Sequence, residues 1–305
     1  MKLNTVTAII QLGRFPFLVG GFLLFSVGML LAMLSGASFD ARRFMFGYAI
    51  LFTAQLSLSY SNNYFDVETD RFNKSTFVSG GSKLLIERPE LRVFCKWFSL
   101  ALSVLSVLFS IVFTFTYDYS WFFVLFVLSG NLLGWYYAAP PVRLAYHGLG
   151  EVATAITYGI LMPGIGYLTF LPMFESIFVA FVIPLLCYGL FFIITVELPD
   201  VEGDRQGGKH TFVVRVGRRH GLHVALIAVG LSAIYFIVGP YLFFSNNTVN
   251  FAVVSVLSLI PFIAGLSGVL QKRMDSRIAT MIAYTNMAAL IIFMISLNGY
   301  LLSLV

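Results

Sequence analysis

Residues 176–204 read SIFVAFVIPLLCYGLFFIITVELPDVEGD, an apolar segment that runs directly into four acidic residues. About 20 mostly apolar residues are enough for a helix to cross a lipid bilayer. Carboxylates at the border of a membrane are costly to keep there and usually mark a functional site. This stretch therefore predicts a transmembrane helix that ends in a polar, functional segment.

A second stretch repeats this arrangement in the first half of the chain. Residues 62–70 read NNYFDVETD and also follow a long apolar segment. Each stretch contains two aspartates four residues apart, Asp66 with Asp70 and Asp200 with Asp204. The alternative without a functional role is that these acids only keep two helix ends hydrated at the membrane surface. Because spacing and position match in both copies, we favour one site built from both halves of the chain.

The composition of the whole chain indicates a membrane protein. It has 305 residues, of which 59% are hydrophobic and only 11% are charged, whereas about 25% charged residues is usual in soluble domains. We expect an all-α, polytopic fold with nine transmembrane helices. Apolar segments bounded by charged or turn residues predict them at residues 15–37, 44–65, 93–116, 120–138, 149–171, 176–197, 221–244, 250–270 and 279–303.

The distribution of Lys and Arg predicts the orientation of these helices. Basic residues concentrate at the N-terminus and in the loops after the second, fourth, sixth and eighth spans, and only Arg42 and Arg43 fall on the other side. The positive-inside rule places those loops in the cytoplasm and the C-terminus outside. The two large polar segments, residues 66–92 and 198–220, are then cytoplasmic loops that cap the bundle, and we call them the cap loops.

The two acid runs also suggest an internal repeat. We expect one transmembrane domain over residues 1–305, with four-helix pseudo-repeats at about 1–148 and 149–278. A ninth helix at 279–303 completes a bundle around a central cavity. A parallel repeat of this kind places a binding site between its halves.

The spacing within the runs indicates a chemistry. In a helix, residues four apart differ by about 40° in direction and about 6 Å in height, so Asn62, Asp66 and Asp70 would form one stripe. Mg²⁺ commonly binds through one or two carboxylates together with substrate phosphates. Two facing carboxylate pairs, with Asp200 and Asp204 as the second, can therefore clamp a diphosphate through Mg²⁺.

Basic residues follow both acid runs in the cap loops, and a third loop, residues 135–143, adds aromatic residues and Arg143. Many of the basic residues only follow the positive-inside rule. For Arg143 this explanation and a contact with phosphate are equally plausible. Aromatic residues before it, including Tyr137, equally suit an interfacial belt. The candidate contacts for a diphosphate are Lys74, Lys83, Arg143, Arg205 and Lys209.

The assembled motifs resemble those of the UbiA superfamily of intramembrane prenyltransferases. The pattern Asn62-x3-Asp66-x3-Asp70 looks like the family's first motif, and Asp200-x3-Asp204 looks like its second. Residues 137–144 and 148–151 are also similar in kind and order, and the likeness extends over nearly the whole chain.

This resemblance implies transfer of a polyprenyl group from its diphosphate to an acceptor in the lipid bilayer, with Mg²⁺ as cofactor. It implies catalytic roles for the four aspartates and for Tyr137, which would shield an allylic cation, and metal binding by Asn62 with the aspartates. Arg14 and Glu151 are candidates for contact with the acceptor. Glu197 stands where many members have Asn or Asp, which leaves its role as a metal ligand open.

The acceptor stays open between two kinds of molecule. Residues 79–83 and 148–151 are similar to the branch that prenylates dihydroxynaphthoate, an aromatic acceptor. Residues 198–205 are equally similar to branches that use homogentisate or geranylgeranylglyceryl phosphate. No nucleic-acid partner is expected, and the sequence does not predict an oligomeric state.

Two other classes of membrane protein compete with this interpretation. An ion-coupled transporter would place charges or broken helices near the middle of the bilayer. Here the acids gather at one border, and residues 163–164 offer the one Pro-Gly interruption. A transferase of phosphoalcohols would hold its aspartates within a single motif, whereas this chain divides them between two distant runs.

Overall fold

The structure, a computed structural model, describes residues 4–73, 81–242 and 248–305. Every regular element in these ranges is helical, which confirms the expected all-α fold. The α-helices are α1 Thr5–Leu12, α2 Phe15–Leu34, α3 Ala41–Phe65, α4 Val67–Asp70, α5 Leu84–Glu87, α6 Leu91–Tyr117, α7 Trp121–Ala138, α8 Gly150–Ile156, α9 Met162–Leu168, α10 Ser176–Glu197, α11 Val201–Gln206, α12 Phe212–Val216, α13 Arg218–Leu242, α14 Phe251–Leu257, α15 Leu259–Val269 and α16 Ser276–Leu302.

Seven helical segments in the described ranges are long and apolar enough to cross a membrane. They are Phe17–Leu34, Leu91–Tyr117, Trp121–Ala138, Ser176–Gln206, Arg218–Gly239, Phe251–Val269 and Ser276–Leu302. A chain with this many such helices is an integral, polytopic membrane protein.

Two further helical segments lie where spans were predicted but do not meet the same measure of length and apolarity. The helix α3 is 25 residues long, carries Arg42 and Arg43 in its first turn and has several polar residues in its last two turns. The segment from α8 to α9 is divided by a π-helical turn, Thr157–Leu161. The count of nine spans therefore stays a prediction.

The outward face of α6 shows what surrounds the bundle. Leu100, Val104, Leu108 and Val112 recur every four residues, and their exposed fractions lie between 39% and 50%. A continuous apolar stripe of this kind would be an aggregation hazard in water. In a bilayer the same stripe faces lipid tails.

The helix α10 is the centre of the largest apolar core. Its side chains Phe181, Tyr188 and Phe191 are fully buried. The Tyr188 ring lies 4.5 Å from the ring of Phe293 on α16, and the Phe181 ring lies 5.3 Å from that of Phe236 on α13. Contacts with two different helices hold α10 in place, and they thereby position the acid run at its C-terminal end.

The helices α2 and α9 approach each other at backbone distance. A Cβ atom added at Gly28 would lie 1.8 Å from the carbonyl oxygen of Pro163, and one added at Gly166 would lie 2.0 Å from that of Phe25. Small residues permit such close contact, which stabilises helix pairs in membranes through van der Waals packing.

The two cap loops meet above the bundle. The loop at residues 66–92 contains α4 and α5, the loop at 198–220 contains α11 and α12, and α4 contacts α11. The division of the bundle into pseudo-repeats stays a prediction.

Candidate active site

The first acid run continues the direction of α3 with a short break. The helix ends at Phe65, and Asp66 has φ −91° and ψ 2°. The backbone amides of Asp66 and Asp70 nevertheless donate to the carbonyl oxygens of Asn62 and Asp66, at 2.9 Å and 2.8 Å. The hydrogen bonds of a helix are thus kept across the break, and all three side chains line the same cavity.

The second acid run continues α10 in the same manner. A 3-10 turn, Leu198–Asp200, leads from α10 into α11. The side chains of Asp200 and Asp204 line the cavity from this side. Both predicted carboxylate pairs therefore border a single space.

The cavity between the runs has a volume of about 470 Å³. Its cap-loop end is lined by carboxylates, amides and two cations, Arg14 and Lys209. Deeper in the bundle its walls are mostly apolar and aromatic, with contributions from Leu24, Phe192 and Met294. A polar mouth above an apolar channel suits an amphipathic ligand with a charged head and a hydrocarbon tail.

A direct hydrogen bond joins the two cap loops beside the acids. The side-chain amide of Asn73 donates from Nδ2 to Oδ1 of Asp204 at 2.8 Å. A Cβ atom added at Gly203 would lie 1.8 Å from Oδ1 of Asn73. The absence of a side chain at Gly203 therefore lets the amide reach Asp204.

Asp66 is held by a cation and a phenol. The Nζ of Lys209 lies 2.9 Å from Oδ2 of Asp66, and the hydroxyl of Tyr146 donates to Oδ1 at 2.9 Å. Burial opposes the charge on Lys209, but Asp66 and Asp204 outweigh it and raise the pKa of the amine well above its usual value. Burial and the charge of Asp66 raise the pKa of Tyr146 to about 12, so the phenol keeps its proton.

The pKa of Asp70 reflects its burial and the negative charge around it. Burial and the neighbouring charge of Asp66 raise its pKa to about 6, while Lys209 and Arg14 act in the opposite direction. A carboxylate in such surroundings gains from additional positive charge. Gly81 closes over it: its φ is +62°, and an added Cβ would lie 1.8 Å from Oδ2 of Asp70.

The donor set of the cavity fits a hard divalent cation such as Mg²⁺. Four buried side-chain oxygens of its lining residues have no hydrogen-bond partner. Gln55 Oε1 lies deep in the bundle, and the other three are Asn62 Oδ1, Asn73 Oδ1 and Glu197 Oε2. In the part of the chain that the structure describes, no three His, Cys, Asp or Glu side chains form a closed metal cluster. Separate carboxylate and amide oxygens are what Mg²⁺ uses when phosphate and water complete its shell.

The structure separates the predicted phosphate contacts into those that reach the cavity and those that do not. Arg14 and Lys209 line it. Lys83, Arg143 and Arg205 are not among the described lining residues, and Lys74 lies outside the described residues.

The three basic residues that do not line the cavity lie in different local surroundings. The Arg205 guanidinium donates to the carbonyl oxygen of Val214 at 3.1 Å. That of Arg143 lies 5.0 Å from the centre of the Tyr146 ring on the exposed surface. Lys83 precedes α5 with a positive φ of 54°. The contacts predicted for Lys83, Arg143 and Arg205 with the diphosphate stay predictions.

Tyr137 and Glu151 differ in their relation to the cavity. Tyr137 lines it, as does Thr154. Glu151 is buried, and its Oε1 accepts from the backbone amide of Phe212 in the second cap loop. Glu151 therefore joins the bundle to this loop and is not among the described lining residues, whereas Glu197 is.

Two residues of the site were missed from the sequence: Asn73 and Tyr146. Asn73 follows Asp70 by three residues, which extends the stripe of the first acid run by one helical turn. That spacing could have identified it. Tyr146 lies between the runs 137–144 and 148–151, and nothing in its surrounding sequence indicates a contact with Asp66.

Fold and site together define an integral membrane protein with an acid-lined mouth above an apolar cavity. Residues 22–291 match the UbiA prenyltransferase family. This match covers most of the chain, and the chain belongs to that family. It is thus a membrane prenyltransferase, which decides against the transporter interpretation.

Solved structures share the fold over nearly the whole length. A UbiA homolog from Archaeoglobus fulgidus bound to GPP and Mg²⁺ has a TM-score of 0.69 and 18% identity, over 96% of this chain and 99% of that one. The apo UbiA homolog from Aeropyrum pernix K1 gives 0.66 and 15%, over 89% and 95%. A structure concerning digeranylgeranylglyceryl phosphate synthase in membranes gives 0.65 and 17%, over 99% and 100%.

A closer sequence relative covers less of the chain. A 2-carboxy-1,4-naphthoquinone phytyltransferase from Synechocystis sp. is 32% identical over 103 residues, which is 32% of each protein. The matched region thus spans about a third of that relative's length.

Proposed function

We propose that this chain transfers a polyprenyl group from its diphosphate to a lipophilic acceptor within the membrane, with Mg²⁺ as cofactor. The observation that carries the proposal is the meeting of both acid runs with Lys209 at the polar mouth of one apolar cavity. The A. fulgidus homolog of the same fold, bound to GPP and Mg²⁺, supports the choice of ligand and metal.

Two groups of oxygen donors are proposed to hold the metal. Asn62, Asp66 and Asp70 form one group, and Asp200 with Asp204 forms the other. Mg²⁺ bound there supplies positive charge that neutralises the leaving diphosphate as the allylic C–O bond breaks. The bond from Asn73 to Asp204 and that from Tyr146 to Asp66 orient these carboxylates, as hydrogen bonds to metal ligands generally do.

Lys209 is proposed as the direct cationic contact of the diphosphate, with Arg14 as a further positive charge nearby. Both line the cavity next to the acids. Lys209 sits between Asp66 and the ring of Tyr146, with its Nζ 5.4 Å from the ring centre. A buried ammonium with an already paired carboxylate can shift its contact to an incoming phosphate without first losing bulk water.

The apolar part of the cavity is proposed to hold the isoprenoid tail and the allylic cation. Tyr137 lines the cavity, and deeper in it the rings of Tyr158 and Phe192 lie 5.8 Å apart. Aromatic faces attract cations and exclude water from them. We therefore assign Tyr137 the shielding of the cation.

For the acceptor we propose an aromatic compound of the naphthoate or quinone type. The Synechocystis relative, named for a naphthoquinone substrate, supports this choice with the higher identity. The digeranylgeranylglyceryl phosphate synthase neighbour keeps a phosphoglycerol acceptor as the alternative. Arg14 is a candidate contact for the acceptor's carboxylate or phosphate, while Glu151 would act only through the second cap loop.

The sidedness of the site is part of the same proposal. Basic residues concentrate in both cap loops, which the positive-inside rule assigns to the cytoplasm. The site would then draw a soluble diphosphate head from the cytoplasm and a tail from the bilayer.

An acceptor panel tests the proposed function. Purified protein in lipid vesicles is given a labelled polyprenyl diphosphate with dihydroxynaphthoate, 4-hydroxybenzoate, homogentisate or geranylgeranylglyceryl phosphate. We expect a prenylated product with the first compound, its loss with EDTA and its return with added Mg²⁺. Product only with the phosphoglycerol compound would overturn the aromatic acceptor, and ion flux without any product would overturn prenyl transfer.

A further inference from the structure

The deep end of the cavity is formed by one residue from each of several helices. Counting from the acid-lined mouth, the furthest lining residue is Leu24 on α2, Gln55 on α3, Met162 on α9 and Met294 on α16. Three of these four side chains are apolar. Gln55 is the exception, because it places an amide at the bottom of an apolar channel.

Gln55 is enclosed by its neighbours. Its side chain is only 8% exposed, and its Nε2 lies 3.9 Å from the sulfur of Met162. A Cβ atom added at Gly21 would lie 2.1 Å from both terminal atoms of the Gln55 amide. The amide thus rests directly on the backbone of α2, and Met162 borders its other side.

The oxygen of this amide lacks a partner. Oε1 of Gln55 is buried and accepts no hydrogen bond. Burying a polar atom unpaired is unfavourable, so such an atom in a native structure requires an explanation. One explanation is that the amide ends the hydrocarbon channel. A longer tail would have to displace the amide or lie against its unsatisfied oxygen.

The depth of Gln55 suits a limit on tail length. It precedes Asp66 by eleven residues on one helix, which corresponds to about 16 Å along the axis. Ser59 and Asn62 line the cavity between them on the same side of α3. A prenyl diphosphate anchored near Asp66 would therefore extend down this face toward Gln55.

We propose that the Gln55 amide, held against Gly21 and Met162, is the floor of the tail channel and determines the longest prenyl group that the enzyme accepts. This inference rests on the proposed function. Its basis is steric: the side chain ends the channel because of its volume and its fixed position.

The test compares a variant that opens the floor of the channel with a variant that pushes the floor into the channel. Each is assayed with a series of prenyl diphosphates that differ by one isoprene unit, and kcat/KM is measured for each length. Gln55→Ala opens the floor and should raise the preference for longer tails over shorter ones by about tenfold. Gly21→Ala pushes the amide into the channel and should shift the preference toward shorter tails.

Two controls separate size from other effects. Gln55→Met keeps the length of the side chain and should keep the wild-type length profile. Gln271→Ala removes an amide outside the cavity and should change nothing. Should Gln55→Ala not fold, Met162→Ala opens the same floor from α9 and should produce the same shift.

Four outcomes would count against the inference or against the proposed function on which it rests. An unchanged length profile in Gln55→Ala or Met162→Ala overturns the floor, and so does a shifted profile in Gln55→Met. A change confined to the KM of the acceptor also overturns it, because the amide would then bind the acceptor. If the wild-type protein consumes none of the diphosphates, the proposed function fails first.

Discussion

The phenol of Tyr146 donates a hydrogen bond of 2.9 Å to Oδ1 of Asp66, although the two residues are 80 positions apart in the chain. The same hydroxyl lies 2.8 Å from Oγ1 of Thr69. Lys209 holds the second oxygen of Asp66. The first acid run is thus oriented by the loop after α7 and by the second cap loop, so three distant parts of the chain form one site.

Tyr146→Phe tests the orientation of Asp66. The change removes the hydroxyl that donates to Asp66 but keeps the aromatic ring beside Lys209. Hydrogen bonds to charged groups contribute about 1.5–3 kcal/mol, so we expect kcat/KM to fall about tenfold to a hundredfold. The measurement is prenyl transfer by purified enzyme in vesicles. Tyr136→Phe, a matched change outside the cavity lining, should retain activity, and an equal loss there would contradict the assigned role.

Gly81→Ala tests the contact between the first cap loop and Asp70. The added Cβ would lie 1.8 Å from Oδ2 of Asp70, so we expect a loss of activity of about a hundredfold or more as the carboxylate is displaced. Gly217 also has a positive φ, +84°, but an added Cβ there meets nothing within 4 Å.

The Gly217→Ala variant therefore separates backbone strain from steric displacement. It should cost about 1–3 kcal/mol of folding free energy and leave turnover near the wild-type value. Thermal unfolding and product assays on both variants give the comparison. Equal turnover in the two would show that Asp70 tolerates the intrusion and that its position is unimportant.

Asn73→Ala tests the link between the two acid runs. Without the donor to Asp204, the carboxylate loses its orientation, and partners of metal ligands typically affect metal affinity by 10–100-fold. We expect the Mg²⁺ concentration for half-maximal activity to rise about tenfold. The control is Asn250→Ala, at the start of α14 and remote from the cavity. An unaltered Mg²⁺ titration in Asn73→Ala would argue against this orienting role.

A comparison of Lys209→Gln with Arg205→Ala tests the division of the predicted cations. Lys209 is buried beside Asp66, and truncating one partner of a buried charge pair costs about 2–5 kcal/mol. We expect at least a thirtyfold loss of kcat/KM. Arg205 faces Val214, so its removal should change kcat/KM by less than about threefold. A loss as large as that of Lys209→Gln would place Arg205 at the diphosphate after all.

Much of the fold could be predicted because membrane crossing leaves few alternatives. A segment such as α10 must be continuously apolar and helical, and its end is visible where Glu197 and Asp200 begin the acid run. The division of the predicted fifth span was not visible in the same way. Its π-helical turn contains Gly159, where an added Cβ would lie 2.6 Å from the backbone nitrogen of Leu186. Such a contact depends on tertiary packing.

Only the part of the site that lies within recognisable sequence motifs could be predicted. The four aspartates were found because their spacing repeats, and the structure brings them to one cavity. Tyr146 carries no repeated spacing, and its role depends on how the loop after α7 folds back. Arg205 was grouped with Lys209 because both follow the second acid run, and Arg143 was added from a third loop, but a position in the sequence does not determine which way a long side chain extends.

The most direct test of the two-sided clamp is prenyl transfer by the variants Asp66→Asn and Asp200→Asn. Each is purified, shown to unfold at the wild-type temperature, and assayed with labelled polyprenyl diphosphate, Mg²⁺ and acceptor. If both runs hold one diphosphate, each single change should lower kcat/KM by about a hundredfold or more. Wild-type turnover by either folded variant would contradict a site formed by both halves of the chain.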